Sequence, residues 1–307
     1  MKLDVKGLSK DKRVNNLSFT LQPGRMTALI GENGAGKTTL LHMLAGLLRS
    51  SAGQIIPSET QTDFRKSIGF LPQYPAFHNW MTANEYLVYA GKLSGVEKRV
   101  VNKKAKQLLN RVGLADACNK QISTFSGGMK QRLGIAQALI GDPQLLLMDE
   151  PVSALDPKGR AEVMALLKEL KGNCTVMYST HVLHDAEQIC DDVLMLHQGK
   201  LIKSTSLSDL LSFTKSNSLT VKASEDITDF ANRLKEKQPS WLLEIRGHEF
   251  TVQDKDDNDI RRLLLKELSQ ADVPFKQIAV DSKTLETVFQ EVVADANVPR
   301  ALKKRMA

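Results

Sequence analysis

Cysteine is scarce in this chain of 307 residues, and the three that occur, Cys118, Cys174 and Cys190, stand far apart. There is no CxxC pair, and three thiols make no even disulfide framework. We therefore expect neither a structural zinc site nor a disulfide scaffold, and we assign the chain to a reducing cytosol. The sequence also lacks a GxSxG motif, which argues against a serine nucleophile of that type.

Long apolar runs are missing as well. The most hydrophobic stretches, Leu40–Leu48 and Leu145–Met148, are much shorter than the roughly 18 residues that a transmembrane helix requires. The first ten residues, MKLDVKGLSK, contain no apolar signal core. We therefore expect the chain to remain inside the cell.

The overall composition is that of a globular protein, with 42% hydrophobic and 25% charged residues, which excludes a disordered chain. The net charge of +7 comes from the first part, with 26 basic and 18 acidic residues up to Ser204, against 16 and 17 beyond it. A surface that faces anions and an ordinary solvated surface both fit this excess.

Short apolar runs that end in polar or glycine-rich turns predict buried strands. These runs are Thr27–Ile30, Leu145–Met148, Cys174–Tyr178 and Val193–Leu196. Helical patterns such as Arg160–Leu170 lie between them, so we predict an α/β fold with a mostly parallel sheet. Thr82–Asn119 lacks strand runs, and we place an all-helical insert at about residues 75–140.

A polar, serine-rich stretch at Thr205–Thr214 predicts a boundary that divides the chain into domains 1–204 and 205–307. Beyond this stretch, short strand patterns alternate with helical patterns, which predicts a small α+β domain with an antiparallel sheet. The predicted strands are Ser218–Val221, Trp241–Ile245, His248–Val252 and Gln277–Val280, and the predicted helices are Ile260–Leu268 and Leu285–Val293.

A glycine-rich loop follows the first of the predicted parallel strands. Residues Gly31–Thr38 read GENGAGKT and match the motif GxxxxGK[ST] in full, between a strand and a helix. Such a loop points successive backbone N–H groups at phosphates, and the helix that follows adds its positive end. We expect Lys37 to reach the β- and γ-phosphates, Thr38 to ligate Mg²⁺, and Thr39 to contact the α-phosphate.

Two acidic residues, Asp149 and Glu150, follow the apolar run Leu145–Met148. The carboxyl ends of parallel strands are where such sheets bind ligands. We expect Asp149 to hold Mg²⁺ through water and Glu150 to act as general base towards the attacking water. The alternative is a plain acidic turn before Pro151.

A third motif makes a family resemblance specific. The sequence TFSGGMKQR at Thr124–Arg132 ends seventeen residues before Asp149. With the two motifs above, it resembles the signature of the ATP-binding-cassette (ABC) ATPases, which reads LSGGQ. In the same order, Gln73 resembles the glutamine loop, Ser153–Asp156 the loop that crosses to a partner subunit, and His181 the switch histidine. The resemblance covers about residues 2–204.

The resemblance implies a P-loop NTPase core that binds ATP and Mg²⁺. It implies that one subunit's serine-glycine turn holds the γ-phosphate of ATP bound to the other subunit. The nucleotide-binding residues would be Gly31, Asn33, Gly34, Ala35, Gly36, Lys37, Thr38, Thr39, Ser126, Gly127, Gly128 and Asp156. The catalytic residues would be Glu150, His181 and Gln73, and the metal-binding residues Thr38, Gln73 and Asp149.

The sequence departs from the family pattern in the signature and upstream of the glycine loop. Phe125 and Met129 replace the leucine and glutamine of the signature, and the loss of the amide predicts a looser site for the partner's nucleotide. The aromatic residue that usually stacks on adenine has no counterpart, and Arg13 or Val14 is the candidate to cover the base. We therefore expect weaker base selectivity, with GTP competing better than usual.

Within the family, the chain is similar to the ATPase subunits of export systems that carry an extra C-terminal domain. We expect a second cassette, identical or not, and separately encoded transmembrane permease subunits that hold the protein at the cytoplasmic face of the membrane. Five aromatic residues, Tyr74, Phe77, Trp80, Tyr86 and Tyr89, follow Gln73. Phe77 and Trp80 are the candidates for the permease groove, whereas Tyr86 and Tyr89 are expected to fill the insert's own core.

Two other functions remain open from the residues alone. One is a soluble ABC protein that acts on the ribosome or on nucleic acid, although such proteins usually carry two cassettes, and we expect no nucleic-acid partner. The other is a catalytically silent regulator of a partner cassette, against which the presence of Lys37, Asp149, Glu150 and His181 argues. We predict an ATPase that powers export.

Overall fold

The structure, a computed structural model, describes residues 1–58, 63–212, 218–255, 260–271, 273–280 and 284–297. Contacts among the described residues divide them into two compact units, one formed by Met1–Leu207 with Phe289–Asn297, and the other lying within Ser208–Val288. In the described ranges, no helix combines the length and apolar character that crossing a bilayer requires.

The described residues contain strands and helices in alternation. The strands are β1 (Leu3–Lys10), β2 (Val14–Leu21), β3 (Met26–Gly31), β4 (Ala52–Pro57), β5 (Ile68–Leu71), β6 (Leu145–Asp149), β7 (Thr175–Thr180), β8 (Asp192–His197), β9 (Lys200–Ser206), β10 (Leu219–Ala223), β11 (Trp241–Arg246), β12 (Glu249–Asp254) and β13 (Phe275–Val280). The helices are α1 (Lys37–Leu44), α2 (Ala83–Leu93), α3 (Lys98–Arg111), α4 (Gly127–Leu139), α5 (Pro157–Leu170), α6 (Leu183–Ile189), α7 (Leu207–Ser212), α8 (Thr228–Lys237), α9 (Arg261–Ser269) and α10 (Leu285–Asn297).

The first unit is built on a six-stranded sheet with the order β5-β6-β7-β3-β8-β9. All neighbouring strands run parallel except β8 and β9. Every residue of β3, β6 and β7 is buried, as is usual for parallel strands whose two faces are both covered. The predicted α/β fold with a mostly parallel sheet is confirmed.

A second sheet in this unit, of order β2-β1-β4, is antiparallel and was not predicted. Its strands shift register near Gly7, whose φ is +61°, so the apolar residues do not alternate regularly along β1. Leu3, Val5 and Leu8 of β1 form one core with Leu40 and Leu41 of α1 and with residues of the six-stranded sheet. The helix that follows the glycine loop is therefore anchored by apolar packing.

The predicted helical insert contains α2, α3 and α4, which pack against one another. Helix α2 begins with a capping box, in which the Thr82 hydroxyl accepts the Glu85 N–H and the Glu85 carboxylate accepts the Thr82 N–H. Helix α4 also contacts β5, so the insert is attached directly to the edge of the main sheet.

The second unit contains a four-stranded antiparallel sheet of order β11-β12-β10-β13. Val221, Trp241, Phe250 and Leu264 lie in its apolar core. Beyond residue 204, the described strands and helices occur at the predicted places, with α7 and α8 as additions. Helix α10 is divided between the units, because Phe289–Asn297 is assigned to the first. The unit begins at Ser208, a few residues beyond the boundary predicted after residue 204, because Thr205 and Ser206 still pair with β8. Residues 213 and 214 of the serine-rich stretch lie outside the described ranges.

Candidate nucleotide-binding and hydrolysis site

The glycine loop joins β3 to α1 and is shaped by close backbone contacts. Gly36 is the N-cap of α1 with φ +103°, and a Cβ atom there would lie 2.7 Å from the carbonyl oxygen of Arg13. Only glycine fits both the left-handed conformation and this approach. Asn33, Gly34 and Thr38 are exposed, and Thr39 is half-buried, so the loop and the first turn of α1 are accessible to a ligand.

Lys37 is the exception, because its side chain turns inward and the residue is only 6% exposed. Its Nζ donates to the carbonyl oxygens of Gly31 (2.7 Å) and Glu32 (3.1 Å). Burial lowers the pKa of Lys37, while the nearby carboxylates of Glu150 and Asp149 oppose that shift. The ammonium is thus positioned between the loop and the acidic pair.

Asp149 is the last residue of β6 and is 1% exposed. Its Oδ1 accepts a hydrogen bond of 2.6 Å from the Ser179 hydroxyl. Its Oδ2 is buried and has no hydrogen-bond partner among the described residues. Because a buried carboxylate oxygen requires a partner, this orphan atom fits a metal ion or a metal-bound water. With the Thr38 hydroxyl, it supplies the oxygen donors that Mg²⁺ prefers.

Glu150 lies in a tight turn directly after β6, with φ +49°, which is uncommon for a residue with a side chain. The side chain is 13% exposed. Gln73 Nε2 donates to Glu150 Oε2 over 3.1 Å, and His181 Nδ1 lies 3.4 Å from Oε1. The structure therefore brings together the three residues that were predicted to be catalytic.

The topology of the six-stranded sheet explains why these three side chains lie together. Gln73 follows β5, Glu150 follows β6 and His181 follows β7, and these strands are parallel neighbours in the sheet. Carboxyl ends of parallel strands lie at one edge, so the loops that follow them converge. The glycine loop follows β3, the next strand along, at the same edge.

The serine-glycine turn begins helix α4. Ser126 is the N-cap, and its Oγ accepts the N–H of Met129 over 3.2 Å. Ser126 and Gly127 are exposed, and a Cβ on Gly127 would meet no atom within 4 Å. Phe125 is buried and keeps the apolar anchor. The turn is an open helix N-terminus, which favours an anionic group.

Asp156 is the N-cap of α5, and its Oδ1 accepts the Gly159 N–H over 3.0 Å. It lines the same surface cavity, of about 740 Å³, as Ser126, Gly127 and Gly128. Among the described residues, the lining of this cavity includes none of Gly31–Thr39. Within one chain, the site residues thus form two groups, one at the glycine loop and one at the serine-glycine turn.

Of the two candidates to cover the base, Val14 does not fit. Its side chain is completely buried in the core of the first unit, so the expectation for Val14 was wrong. Arg13 is exposed in the turn between β1 and β2, and its carbonyl lies against Gly36. Arg13 remains the candidate.

Two residues of the site were not predicted. Ser179 bonds to both Asp149 and Glu150, and Gln131, which is buried, donates to the carbonyl oxygens of Glu150 (3.4 Å) and Pro151 (3.2 Å). The signal that was available for Ser179 is its position directly after the apolar run Cys174–Tyr178, two residues before His181.

The chain is similar to known proteins of one family. Residues 14–153 match the family model described as ABC transporter. The chain is 42% identical over 296 residues to the uncharacterized ABC transporter ATP-binding protein YxlF of Bacillus subtilis, which covers 95% of this chain and 99% of that protein.

Two relatives have more specific names. The linearmycin resistance ATP-binding protein LnrL of Bacillus subtilis is 36% identical and covers 67% of this chain and 68% of its own length. The bacitracin transport ATP-binding protein BcrA of Bacillus licheniformis is 37% identical and covers 65% of this chain and 66% of its own length.

Solved structures show the same fold. An ATP-binding subunit of an ABC transporter superposes with a TM-score of 0.64 and 29% identity, over 69% of this chain and 93% of that one. A dimeric, post-hydrolysis structure of the cassette MJ0796 bound to ADP and Pi gives 0.61 and 25%, over 67% of this chain and 98% of that one. This chain therefore belongs to the ATP-binding proteins of ABC transporters, a family of ATPases.

Proposed function

We propose that this protein hydrolyses ATP to power an export-type ABC transporter, with Glu150 as the general base. The observation that carries the proposal is the placement of the Glu150 carboxylate between Gln73 and His181, next to Asp149 and within the electrostatic reach of Lys37. Phosphoryl transfer depends mainly on positioning and on charge stabilisation, and this cluster provides groups for both.

The glycine loop binds the phosphates in this proposal. The exposed amides of the loop face the β- and γ-phosphates, and the Nζ of Lys37 donates its remaining N–H to them. Gly31, Asn33, Gly34, Ala35, Gly36 and Lys37 form this cradle, and the hydroxyl of Thr39 is assigned to the α-phosphate.

Thr38, Asp149 and Gln73 are the residues that would hold Mg²⁺, with Asp149 Oδ2 as the buried acceptor. When bound, the ion neutralises negative charge on the phosphate oxygens. Oδ2 makes no hydrogen bond within the described residues, so a cation bound there would give this buried carboxylate oxygen a partner.

Glu150 accepts a proton from the attacking water, and its neighbours orient it. Gln73 donates to one carboxylate oxygen and His181 stands beside the other, so the carboxylate is held from two sides. The side chain of His181 is 57% exposed, and we assign to it a hydrogen bond donated to the γ-phosphate.

A second cassette completes the site. Ser126, Gly127 and Gly128 present a solvent-exposed helix N-terminus that is separate from the chain's own glycine loop. In a head-to-tail dimer, this turn receives the γ-phosphate of the partner's ATP, and Asp156 lies in the same surface cavity. The dimeric state of MJ0796 supports this arrangement.

We infer the direction of transport from the names of the relatives. LnrL is named for linearmycin resistance and BcrA for bacitracin transport, and both names suit export of a compound from the cell. YxlF, which spans nearly this whole chain, is named as a transporter ATP-binding protein, and this disfavours a role on the ribosome or on nucleic acid.

The surface for a separately encoded permease lies in the aromatic loop after Gln73. Tyr74 is 82% exposed and Trp80 is 73% exposed, whereas Tyr86 is buried and its hydroxyl donates to Gln137. Tyr89, which was expected in the core, is instead 43% exposed on α2, where its ring lies 5.9 Å from that of His78.

Phe77 packs edge-on against Tyr86 at 5.0 Å between ring centroids, so Trp80 is the stronger of the two predicted groove residues. An exposed aromatic patch of this kind suits a helix of a membrane subunit, which would hold the protein at the cytoplasmic face. We propose that the region 205–307 is an accessory domain that stabilises the dimer or regulates it.

The test is reconstitution with a permease. The chain and a permease encoded beside it are co-expressed, purified in detergent and assayed for Mg²⁺-dependent phosphate release from ATP. We expect a complex that hydrolyses ATP and loses this activity with Lys37→Ala. A stable complex without any hydrolysis would contradict the catalytic assignment, and recovery on ribosomes or DNA instead would contradict the transport assignment.

A further inference from the structure

A single buried hydroxyl connects the two acidic residues of the site. Ser179 is in β7 opposite Asp149 in the register of β6 and β7, and it is 0% exposed. Its Oγ donates to Asp149 Oδ1 over 2.6 Å and accepts the backbone N–H of Glu150 over 2.9 Å. A hydroxyl is suited to this position because it donates and accepts at the same time.

The Glu150 turn is held from its other side as well. The carbonyl oxygen of Glu150 accepts from the Ser153 hydroxyl at 3.1 Å and from the Gln131 amide at 3.4 Å. With φ at +49°, the backbone of Glu150 is in a sparsely populated region that persists only where neighbours determine it. Ser179 is the residue that holds the amide end of this turn.

The Ser179 hydroxyl also determines which carboxylate oxygen of Asp149 lacks a hydrogen-bond partner among the described residues. Because Ser179 occupies Oδ1, the carboxylate cannot rotate freely, and Oδ2 remains the atom without a partner among the described residues. One side chain therefore orients the Asp149 carboxylate and the Glu150 backbone together, although it belongs to β7 and not to β6 or the turn that follows β6.

We infer that Ser179 is a positioning residue for hydrolysis, which aligns the metal-binding carboxylate of Asp149 with the general base Glu150. This inference rests on the proposed function. The substitution Ser179→Ala removes both hydrogen bonds and leaves a buried amide and a buried carboxylate oxygen without their partner. Ser179→Thr keeps the hydroxyl.

Thr175 provides the matched control, because it is a buried hydroxyl residue at the opposite end of the same strand. Its Oγ1 also donates one hydrogen bond, to the Met1 carbonyl (2.8 Å), and it accepts from the Gly24 N–H (3.1 Å) and from the N-terminal ammonium of Met1 (3.3 Å). The substitution Thr175→Val therefore removes at least as many hydrogen bonds from β7, at the end remote from Asp149 and Glu150. The Thr175→Val variant shows how much ATP hydrolysis changes when the hydrogen bonds of a buried hydroxyl are lost away from the site.

The experiment measures ATP hydrolysis and thermal unfolding of the full chain with its permease. For Ser179→Ala, we expect kcat to fall about 10- to 100-fold while KM for ATP changes by less than about threefold. Thr175→Val should keep kcat within about twofold, and Ser179→Thr should recover much of the loss. Equal loss of kcat in Ser179→Ala and Thr175→Val, or no loss in Ser179→Ala, overturns the inference.

A binding readout separates this inference from the proposed function. Mn²⁺ is titrated by electron paramagnetic resonance in the presence of ADP, which requires no hydrolysis. Ser179→Ala should weaken Mn²⁺ binding about tenfold, and Thr175→Val should leave it unchanged. A wild-type protein that binds Mn²⁺ with ADP but hydrolyses nothing contradicts the proposed function alone, whereas an unchanged Mn²⁺ affinity in Ser179→Ala contradicts the inference alone.

Ser179→Cys serves as a second variant in case Ser179→Ala does not fold. A thiol is larger and is a weaker donor and acceptor than a hydroxyl, so a folded Ser179→Cys protein should also lose about tenfold in kcat and in Mn²⁺ affinity. Wild-type values for both quantities in a folded Ser179→Cys protein overturn the inference.

Discussion

The ammonium nitrogen of Lys37 lies 2.7 Å from the carbonyl oxygen of Gly31, within the loop that the lysine itself terminates. A second bond to the Glu32 carbonyl leaves one of the three N–H donors for a ligand. The lysine is therefore held in place before a phosphate arrives, and its charge is balanced in part by Asp149 and Glu150.

Burial gives Lys37 a distinctive pH dependence. Because its pKa is lowered by burial, the ammonium loses its proton at a lower pH than an exposed lysine does. Only the charged form binds phosphate well, so the affinity for ATP should fall as the pH rises through this lowered pKa. Bound phosphates favour the charged form, so they raise the pKa and oppose this loss.

Calorimetric titration of ATP at a series of pH values above neutrality checks this dependence. Lys37→Ala should bind ATP about 30-fold or more weakly at neutral pH, and its affinity should show no comparable alkaline decline. An alkaline decline of the same size in both proteins would show that another group titrates.

Arg13 is expected to cover the base of the nucleotide. It is exposed, and its carbonyl oxygen lies against Gly36 of the phosphate loop. A guanidinium over a purine contributes about 0.5–2 kcal/mol, so Arg13→Ala should weaken ATP binding by roughly 2- to 30-fold. The neighbouring Lys12→Ala should have little effect.

Because a guanidinium distinguishes poorly between purines, GTP should compete well with ATP for the site. A competition assay that shows a strong preference for ATP would contradict the assignment of Arg13 to the base.

Asp156 caps helix α5, in addition to its predicted role in nucleotide binding. Its carboxylate caps α5 through the Gly159 N–H, so Asp156→Ala should lower the free energy of unfolding by about 1 kcal/mol. Asp156→Asn keeps an N-cap acceptor and should retain most of this stability. Urea unfolding measures the difference, with Asp116→Ala as an exposed acidic control. Equal stability of Asp156→Ala and wild type would contradict the capping role.

Trp80 tests the proposed permease surface. It is 73% exposed, so Trp80→Ala should leave the thermal stability of the isolated chain nearly unchanged. As a central aromatic contact, its loss should weaken binding to the permease about 30-fold, measured by pull-down in detergent. Leu47→Ala removes another exposed apolar side chain and is the control. Full retention of permease binding by Trp80→Ala would place the interface elsewhere.

The parallel strands were predictable because both of their faces are buried and their apolar runs are nearly continuous. The antiparallel sheet of β1, β2 and β4 was not, since the bulge near Gly7 interrupts the alternation along β1. The burial of Val14 could not be predicted from its neighbours in the sequence, because it depends on packing against distant elements such as α1.

The site residues also divide into those that a local motif identifies and those whose role depends on the fold. Local motifs identify the glycine loop and the acidic pair, because their chemistry depends on residues adjacent in sequence. The role of Ser179 depends on the pairing of β7 with β6, about thirty residues away in the chain, and no local pattern reports that pairing. Gln131 likewise reaches Glu150 only through the packing of α4.

Glu150→Gln tests the central claim most directly. The amide keeps the shape of the side chain but cannot accept a proton, so we expect kcat to fall about 100- to 10,000-fold while ATP still binds. With ATP and Mg²⁺, light scattering should show a stable dimer that retains ATP. Hydrolysis at the wild-type rate, or a protein that stays a single protomer at saturating ATP even with its permease present, would contradict the account.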